Sequence, residues 1–187
     1  MAYFKFSLKQ CIATAIGTLM FFLLARFLTY PIPIYGDVFL NLHLNLQYTV
    51  VCFFAVIFGP VCGFLIGFFG LFFSYFSFGE GLLWGSIIAS ASVGFLSGFM
   101  FRPGKIDDDE FDGMDAVRFI IGSMITHIIS WGIIKPVCDI LFNSYHAGTA
   151  FIQGFTAAAG NFVLTAIVST LLILGYSKTL ERTIETT

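Results

Sequence analysis

The 187-residue sequence contains very little charge. Only 11% of its residues are Asp, Glu, Lys or Arg, and none of these occurs between Asp37 and Glu80. A soluble domain needs about 25% charged residues to cover its surface. Because the same sequence is 58% apolar and contains 25 Phe, the scarcity of charge excludes a water-soluble fold and indicates a chain that lies mostly in lipid.

The sequence also lacks the short motifs that carry enzymatic chemistry. It contains no His-Glu-x-x-His, no Gly-rich phosphate loop ending in Lys-Ser/Thr and no Gly-x-Ser-x-Gly. Its four cysteines show no Cys-x-x-Cys spacing, so neither a zinc site nor a disulfide framework is predicted. We expect no catalytic residues, no metal and no cofactor, and the net charge of −2 gives no sign of nucleic-acid binding.

Apolar stretches recur along the whole chain, separated by Pro, Gly and charged residues. A helix needs ~20 residues to cross a hydrocarbon core of ~30 Å, so a chain of this length has room for five or six crossings and for no sizeable soluble domain. We predict an all-α membrane protein, with six transmembrane helices in one compact bundle that forms a single domain over residues 1–187. The predicted helices cover about 8–29, 47–58, 60–78, 82–101, 117–141 and 150–176.

The distribution of basic residues predicts the orientation of this bundle. Six crossings place both termini on one side, together with the loop that follows the fourth helix. Seven basic residues then lie on that side, against only Arg26 and Lys135 near the other. Since basic residues are enriched on the inner side of membranes, both termini are predicted to be cytoplasmic.

The segment from Leu40 to Gln47 alternates apolar and polar residues, which is the period of an extended strand. It would form an extended outer loop between the first two helices, placed as a lid over the bundle. Its polar side chains would share one face, which contacts either a ligand or water. These candidate binding residues are Asn41, His43, Asn45 and Gln47.

A polar stripe is predicted on the fifth helix, where His127, Trp131, Lys135 and Asp139 are each four residues apart. Each step of four advances ~400° around a helix, so the stripe winds only slowly. Charged residues inside a membrane usually face a cavity or each other. The stripe therefore predicts a polar pocket that opens outward, while a simple ion pair is the alternative for Lys135 and Asp139.

Aromatic rings and amides supply the remaining candidates for ligand binding. Rings can stack on a flat heteroaromatic ligand, and buried amides need a hydrogen-bonding partner, which a ligand or another helix can provide. These candidates are Tyr48, Tyr75, Trp84, Gln153 and Asn161.

Small residues spaced four apart allow helices to approach closely in lipid. On the third and fourth helices, Gly63, Gly67 and Gly94 are interpreted as internal packing residues. On the first helix, Ala13 and Gly17 form a similar face that could equally receive another membrane subunit.

Three segments, in their order and spacing, resemble a known family. They are residues 46–48 leading into 58–68, residues 83–90, and residues 131–141 followed by Gly160-Asn161. The chain resembles the S components of energy-coupling factor (ECF) vitamin transporters, particularly the riboflavin-type group. S components are the substrate-binding membrane subunits of these importers.

The resemblance implies a multi-pass protein of a prokaryotic plasma membrane that captures a vitamin or vitamin precursor from outside. It implies delivery through a transmembrane T component and two cytoplasmic ATPase subunits, with Ala13 and Gly17 in the docking face. Riboflavin, a thiamine-type pyrimidine, pyridoxine and cobalamin all remain open as the cargo.

Two other function classes stay open on the sequence alone. A stand-alone secondary transporter would need ion-coupling acids in mid-membrane, but Asp139 is the only acid within a predicted helix and lies toward its end. An intramembrane hydrolase could use Ser123 with His127, although no oxyanion-hole signature accompanies this pair.

Overall fold

The computed structural model describes the backbone of residues 7–34, 40–79, 81–101, 105–108 and 111–185. Side chains are described for residues 7–28, 45–77, 81–101, 105–106 and 111–180. Within these residues the fold consists of six long helices, one helical turn at Lys105–Asp108 and one two-stranded hairpin.

The helices are numbered α1 to α6 in chain order. The first four are α1 (Leu8–Phe27), α2 (Gln47–Phe58), α3 (Pro60–Phe78) and α4 (Trp84–Ser97). Helix α5 (Gly113–Asn143) contains a π-helical segment at Ile128–Ile134. Helix α6 runs through Ala147–Leu164, a second π-helical segment at Thr165–Ser169, and Thr170–Glu185.

Four regions are long and apolar enough to cross a membrane: Leu8–Phe27, Pro60–Ser77, Gly113–Asn143 and Ala147–Leu180. Helices α2 and α4 are shorter but also apolar. Large apolar side chains cover the outside of the bundle, as at Phe76, which is 72% exposed. The predicted bundle of apolar helices is thereby confirmed. That all six helices cross the membrane, and on which side of it the termini lie, stay predictions.

Local capping sets where several helices begin. Ser7 and Gln10 form a capping box, in which the Ser7 Oγ accepts from the Gln10 amide and the Gln10 Oε1 accepts from the Ser7 amide at 2.7 Å. Helix α5 begins four residues earlier than predicted, because the Asp112 carboxylate accepts from the Asp115 amide at 2.7 Å and caps the helix there.

The hairpin connects α1 to α2. Strand β1 (Thr29–Ile34) pairs antiparallel with β2 (Leu40–Asn45), with Thr29 opposite Asn45 and Ile34 opposite Leu40. Prolines 31 and 33 are compatible with β1, because each strand of a two-stranded sheet has a free edge. The side chains of Asn41 and His43 lie outside the described residues, so the predicted binding role of these two residues stays a prediction.

Glycines allow α3 and α4 to cross at backbone contact. A Cβ atom added to Gly94 would collide with the carbonyl group of Gly63, and one added to Gly67 would collide with the carbonyl of Ser90. The Ser90 Oγ donates a hydrogen bond to the Gly67 carbonyl at 2.8 Å. These small residues pack helix against helix, as their spacing predicts.

The small face of α1 is also internal. Ala13 and Gly17 are buried, and a Cβ atom added to Gly17 would touch Ile66 of α3 and Phe54 of α2. The face that the sequence suggested for subunit docking is therefore covered by other helices of the same chain. In this conformation the two residues pack the bundle and offer no surface to a further subunit.

Candidate functional site

An aromatic cluster centred on Tyr48 joins α1, α2 and α5. The ring of Tyr48, only 2% exposed, lies 5.7 Å from Phe21, 5.2 Å from Trp131 and 6.3 Å from His127, measured between ring centroids. The interplanar angles are 82°, 70° and 81°, which is the edge-to-face geometry that aromatic rings favour. The structure thus brings three predicted binding residues together and adds Phe21, which the sequence did not single out.

The π-helical segment of α5 places the polar side of this cluster. His127 precedes Ile128–Ile134 directly, and Ser130 and Trp131 lie inside it. All three side chains are buried, so this part of the predicted stripe faces the interior of the bundle. π-Helical turns occur frequently at functional sites, because the extra residue re-aims the side chains around it.

Helix α6 lines the opposite side with a polar row of its own. Asn161, Thr165 and Ser169 are spaced four apart and fully buried. The His127 Nε2 lies 3.0 Å from the Thr165 Oγ1, and the Ser169 Oγ donates to the Thr49 carbonyl of α2 at 3.0 Å. The sequence reasoning missed Thr165 and Ser169, although their spacing from Asn161 repeats the pattern that was recognised on α5.

Three of the predicted amides form a hydrogen-bonded chain. The Asn45 Nδ2 donates to the Asn161 Oδ1 at 2.9 Å, and the Gln47 Nε2 donates to the Asn45 Oδ1 at 3.3 Å. Gln47 and Asn161 are buried, and Asn45 is half-buried. The chain of amides ties the end of β2 to the middle of α6.

Five buried side-chain atoms of this region have no hydrogen-bonding partner. They are the Gln47 Oε1, His127 Nδ1, Ser130 Oγ, Trp131 Nε1 and Asn161 Nδ2, and they are the only such atoms among the described side chains. An unpaired buried polar group costs about 1–3 kcal/mol, and native proteins leave few of them. Their concentration in one place indicates a site that a ligand or water completes.

We call this set of residues the polar cluster, which combines flat rings with unpaired donors and acceptors. Its members come from β2, α2, α5 and α6. They are Asn45, Gln47, Tyr48, His127, Ser130, Trp131 and Asn161.

Three other predicted binding residues are not members of the polar cluster. Trp84 is the first residue of α4 and is 43% exposed. Gln153 is exposed on α6. Tyr75 is half-buried and packs against the apolar core. Trp84 and Gln153 take no part in the described contacts that build the polar cluster, whereas Tyr75 lies close enough to Tyr48 for the two phenol groups to interact electrostatically.

Lys135 and Asp139 bind each other. The Lys135 Nζ lies 2.5 Å from the Asp139 Oδ2, and the Asn143 Nδ2 donates to the Asp139 Oδ1 at 3.3 Å. Gly85 of α4 packs so closely on the Asp139 carboxylate that an added Cβ atom would collide with it. The ion-pair alternative is therefore the arrangement found, and the pair lies where α5 packs against the start of α4.

The hydroxyl of Ser123 is not positioned as a nucleophile beside His127. The Ser123 Oγ donates to the Ile120 carbonyl at 2.9 Å, while the imidazole of His127 pairs with Thr165. A serine nucleophile needs a hydrogen bond to its general base, and this geometry does not provide one.

The match to a known family covers nearly the whole chain. A family model described as the S component of the ECF-type riboflavin transporter matches residues 5–178. The chain belongs to this family. The resemblance seen in the sequence is confirmed, and this ECF-type S component is a multi-pass transporter subunit rather than an enzyme.

Relatives of similar length occur in several bacteria. The UPF0397 protein of Enterococcus faecalis is 36% identical over 175 residues, which cover 94% of this chain and 93% of that protein. The UPF0397 protein of Streptococcus pneumoniae serotype 19F is 32% identical over 179 residues, covering 95% and 94%. That of Lacticaseibacillus casei is 30% identical over 176 residues, covering 94% and 92%.

Proposed function

We propose that this S component captures a water-soluble vitamin or vitamin precursor from outside the cell. It would deliver this cargo through a transmembrane T component and two cytoplasmic ATPase subunits in a prokaryotic plasma membrane. The cargo classes are riboflavin, a thiamine-type pyrimidine, pyridoxine and cobalamin. The observation that carries the proposal is the set of five unpaired buried polar atoms beside the rings of Tyr48, His127 and Trp131.

The chemistry of the polar cluster suits a flat, uncharged ring system. Trp131 and Tyr48 provide aromatic surface, and the unpaired atoms belong to amide, hydroxyl, indole and imidazole groups. The nearest charged side chains along α5, Lys135 and Asp139, neutralise each other. A ring that carries polar edge groups would gain stacking energy and also relieve the unpaired atoms.

The family membership supports the subunit role, because S components work with separate membrane and ATPase subunits. Ala13 and Gly17 are buried, and Gly17 is covered by α2 and α3, so a T component would contact an exposed face of α1. That face carries Ile12, Ile16 and Leu19.

Mass spectrometry of small molecules that co-purify with the protein is the direct test. We expect one vitamin-like compound in amounts that approach one per protein, and equilibrium dialysis against a vitamin panel should reproduce its binding. A protein that carries no small molecule and takes up none of the panel would contradict the proposal.

Trp131→Ala is expected to weaken cargo binding by ~1–3 kcal/mol, which corresponds to a dissociation constant about 5 to 150 times larger. The reason is that the indole supplies ring contact and an unpaired donor at the cluster. The measurement is the dissociation constant of the co-purified compound by equilibrium dialysis. Phe76→Ala, which removes an exposed ring on α3, serves as the control, and unchanged affinity in Trp131→Ala would assign Trp131 to packing alone.

A further inference from the structure

We infer that Gln47, Asn45 and Asn161 form one chain of aligned amide groups that selects the cargo by its hydrogen-bonding groups. We call this chain the relay. This inference rests on the proposed function and names the kind of ligand that the site takes. Within the relay, Asn45 is the positioning residue, whereas Gln47 and Asn161 are the residues that would contact cargo.

The direction of the hydrogen bonds gives the relay two unlike ends. Gln47 donates to Asn45, and Asn45 donates to Asn161, so all three amides point the same way. The atoms left over are the Gln47 Oε1, which can only accept a hydrogen bond, and the Asn161 Nδ2, which can only donate one. Both atoms are buried and have no partner among the described residues.

These two ends specify complementary groups on the ligand. The cargo must offer an N–H donor at the edge of its ring to Gln47 and a carbonyl or ring-nitrogen acceptor to Asn161. The indole nitrogen of Trp131, also unpaired and able only to donate, calls for a second acceptor. The ligand class is therefore an uncharged heterocycle that carries both a donor and acceptors on its edge.

A buried site of this kind discriminates strongly against ligands that lack the matching group. A ligand without the donor would leave the Gln47 oxygen unsatisfied in a dry environment, and sites built on such polar groups reject incomplete analogues more strongly than apolar pockets do. A carboxylate ligand offers only acceptors, so it would place its charge next to the Gln47 oxygen without a donor between them.

Asn45 holds this pattern without facing the cargo itself. Its carbonyl oxygen and its amide nitrogen are both engaged within the relay. Loss of its side chain would free the Gln47 and Asn161 amides to turn over, and each could then present either an acceptor or a donor. Affinity would fall only partly, but the preference between matched and mismatched ligands would disappear.

The experiment uses two ligand pairs in which methylation removes the N–H donor at the edge of the ring and leaves the hydroxyl groups in place. The pairs are riboflavin with 3-methylriboflavin, and 4-amino-5-hydroxymethyl-2-methylpyrimidine with its 4-dimethylamino analogue. Equilibrium dialysis with the full-length protein should show at least a tenfold preference for the unmethylated member of a pair. In Asn45→Ala this preference should fall to about one, since Gln47 no longer has a fixed orientation.

Asn45→Asp separates positioning from simple structural support. An aspartate can only accept, so Gln47 keeps its orientation, while Asn161 must turn its nitrogen toward residue 45 and its oxygen toward the cargo. We expect this variant to retain the preference for the unmethylated ligand but to bind both members about tenfold more weakly. A purely structural role for Asn45 would not produce opposite effects on preference in the two variants.

Gln10→Ala provides a matched loss of an amide away from the relay. The Gln10 Nε2 donates to the Phe58 carbonyl at 2.8 Å, at the other end of α2, so this variant should leave the preference unchanged. If Asn45→Ala still prefers the unmethylated ligand of a pair that the protein binds, the relay is contradicted, whereas the proposal of cargo capture is not. Failure of both pairs to bind the wild type would also overturn the relay, and the co-purified compound would then decide cargo capture separately.

Discussion

Gly94→Ala is expected to lower the free energy of unfolding by about 3 kcal/mol, at the upper end of the effects of overpacking. The added methyl group would meet the carbonyl group and the Cα atom of Gly63. These are backbone atoms, so no side-chain rotation can relieve the collision, and α3 and α4 must move apart. Because α3 also packs on α1, the separation would loosen more than one helix pair. Thermal unfolding in detergent measures the effect.

The control for this prediction is Gly175→Ala in α6. A Cβ atom added to Gly175 meets nothing within 4 Å, and alanine stabilises a helix by ~1 kcal/mol relative to glycine. The two variants make the same chemical change, so they should shift the unfolding temperature in opposite directions. Equal shifts would show that the backbone contact between α3 and α4 contributes little to stability.

Lys135→Met is expected to destabilise the protein by about 3–5 kcal/mol, because it leaves the Asp139 carboxylate buried without its cation. The Asp139 side chain is 3% exposed and the Lys135 side chain 14%, so water could not hydrate the carboxylate that is left without its cation. The packing of Gly85 against the carboxylate means that Asp139 cannot turn away without disturbing the start of α4. The measurement is the free energy of unfolding by chemical denaturation in detergent.

The double variant Lys135→Met with Asp139→Leu is the matched comparison. It removes both charges and keeps apolar bulk in their place, and replacing a whole buried ion pair in this way is often nearly neutral. We therefore expect the double variant to recover most of the stability lost in Lys135→Met. If the double variant instead loses the sum of the stabilities lost in Lys135→Met and in Asp139→Leu, the two charges do not stabilise each other.

The fold was accessible to sequence reasoning because lipid imposes a simple rule on composition. Long apolar stretches interrupted by Pro60 or by charged residues predicted six helices, and the described chain contains six long helices. The strict alternation from Leu40 onward likewise predicted extended backbone where β2 lies. Sequence reasoning did not anticipate the pairing of β2 with β1, since the Pro31-Ile32-Pro33 stretch has no alternating pattern.

Sequence reasoning could predict which residues come together only where they repeat at the spacing of a helix or a strand. His127 and Trp131, which share the predicted stripe on α5, both contact Tyr48, and Asn45 and Gln47 form a hydrogen-bonded chain with Asn161. That these residues bind cargo stays a prediction. Composition could not show which way a single residue faces in its helix. Trp84 and Gln153 were chosen by residue type, and both are exposed.

Small residues present the same limitation. Ala13 and Gly17 have the spacing of a helix-packing face, but spacing does not reveal whether the partner helix belongs to the same chain. In the structure the partners of Gly17 are α2 and α3, which contribute Phe54 and Ile66. Nothing in the local sequence around either residue carries that information, because the contact joins residues about 40 to 50 positions apart.

The wide turn of α5 at Ile128–Ile134 also makes the number of residues in this stretch important. A π-helical turn holds one residue more than an α-helical turn, so the loss of one residue here would let the stretch close into regular α-helix. The side chains within it, Ser130 and Trp131, would then point in different directions and leave the polar cluster. Substitutions in this stretch would then be tolerated more readily than any change in its length, and gaps in related sequences should fall outside it.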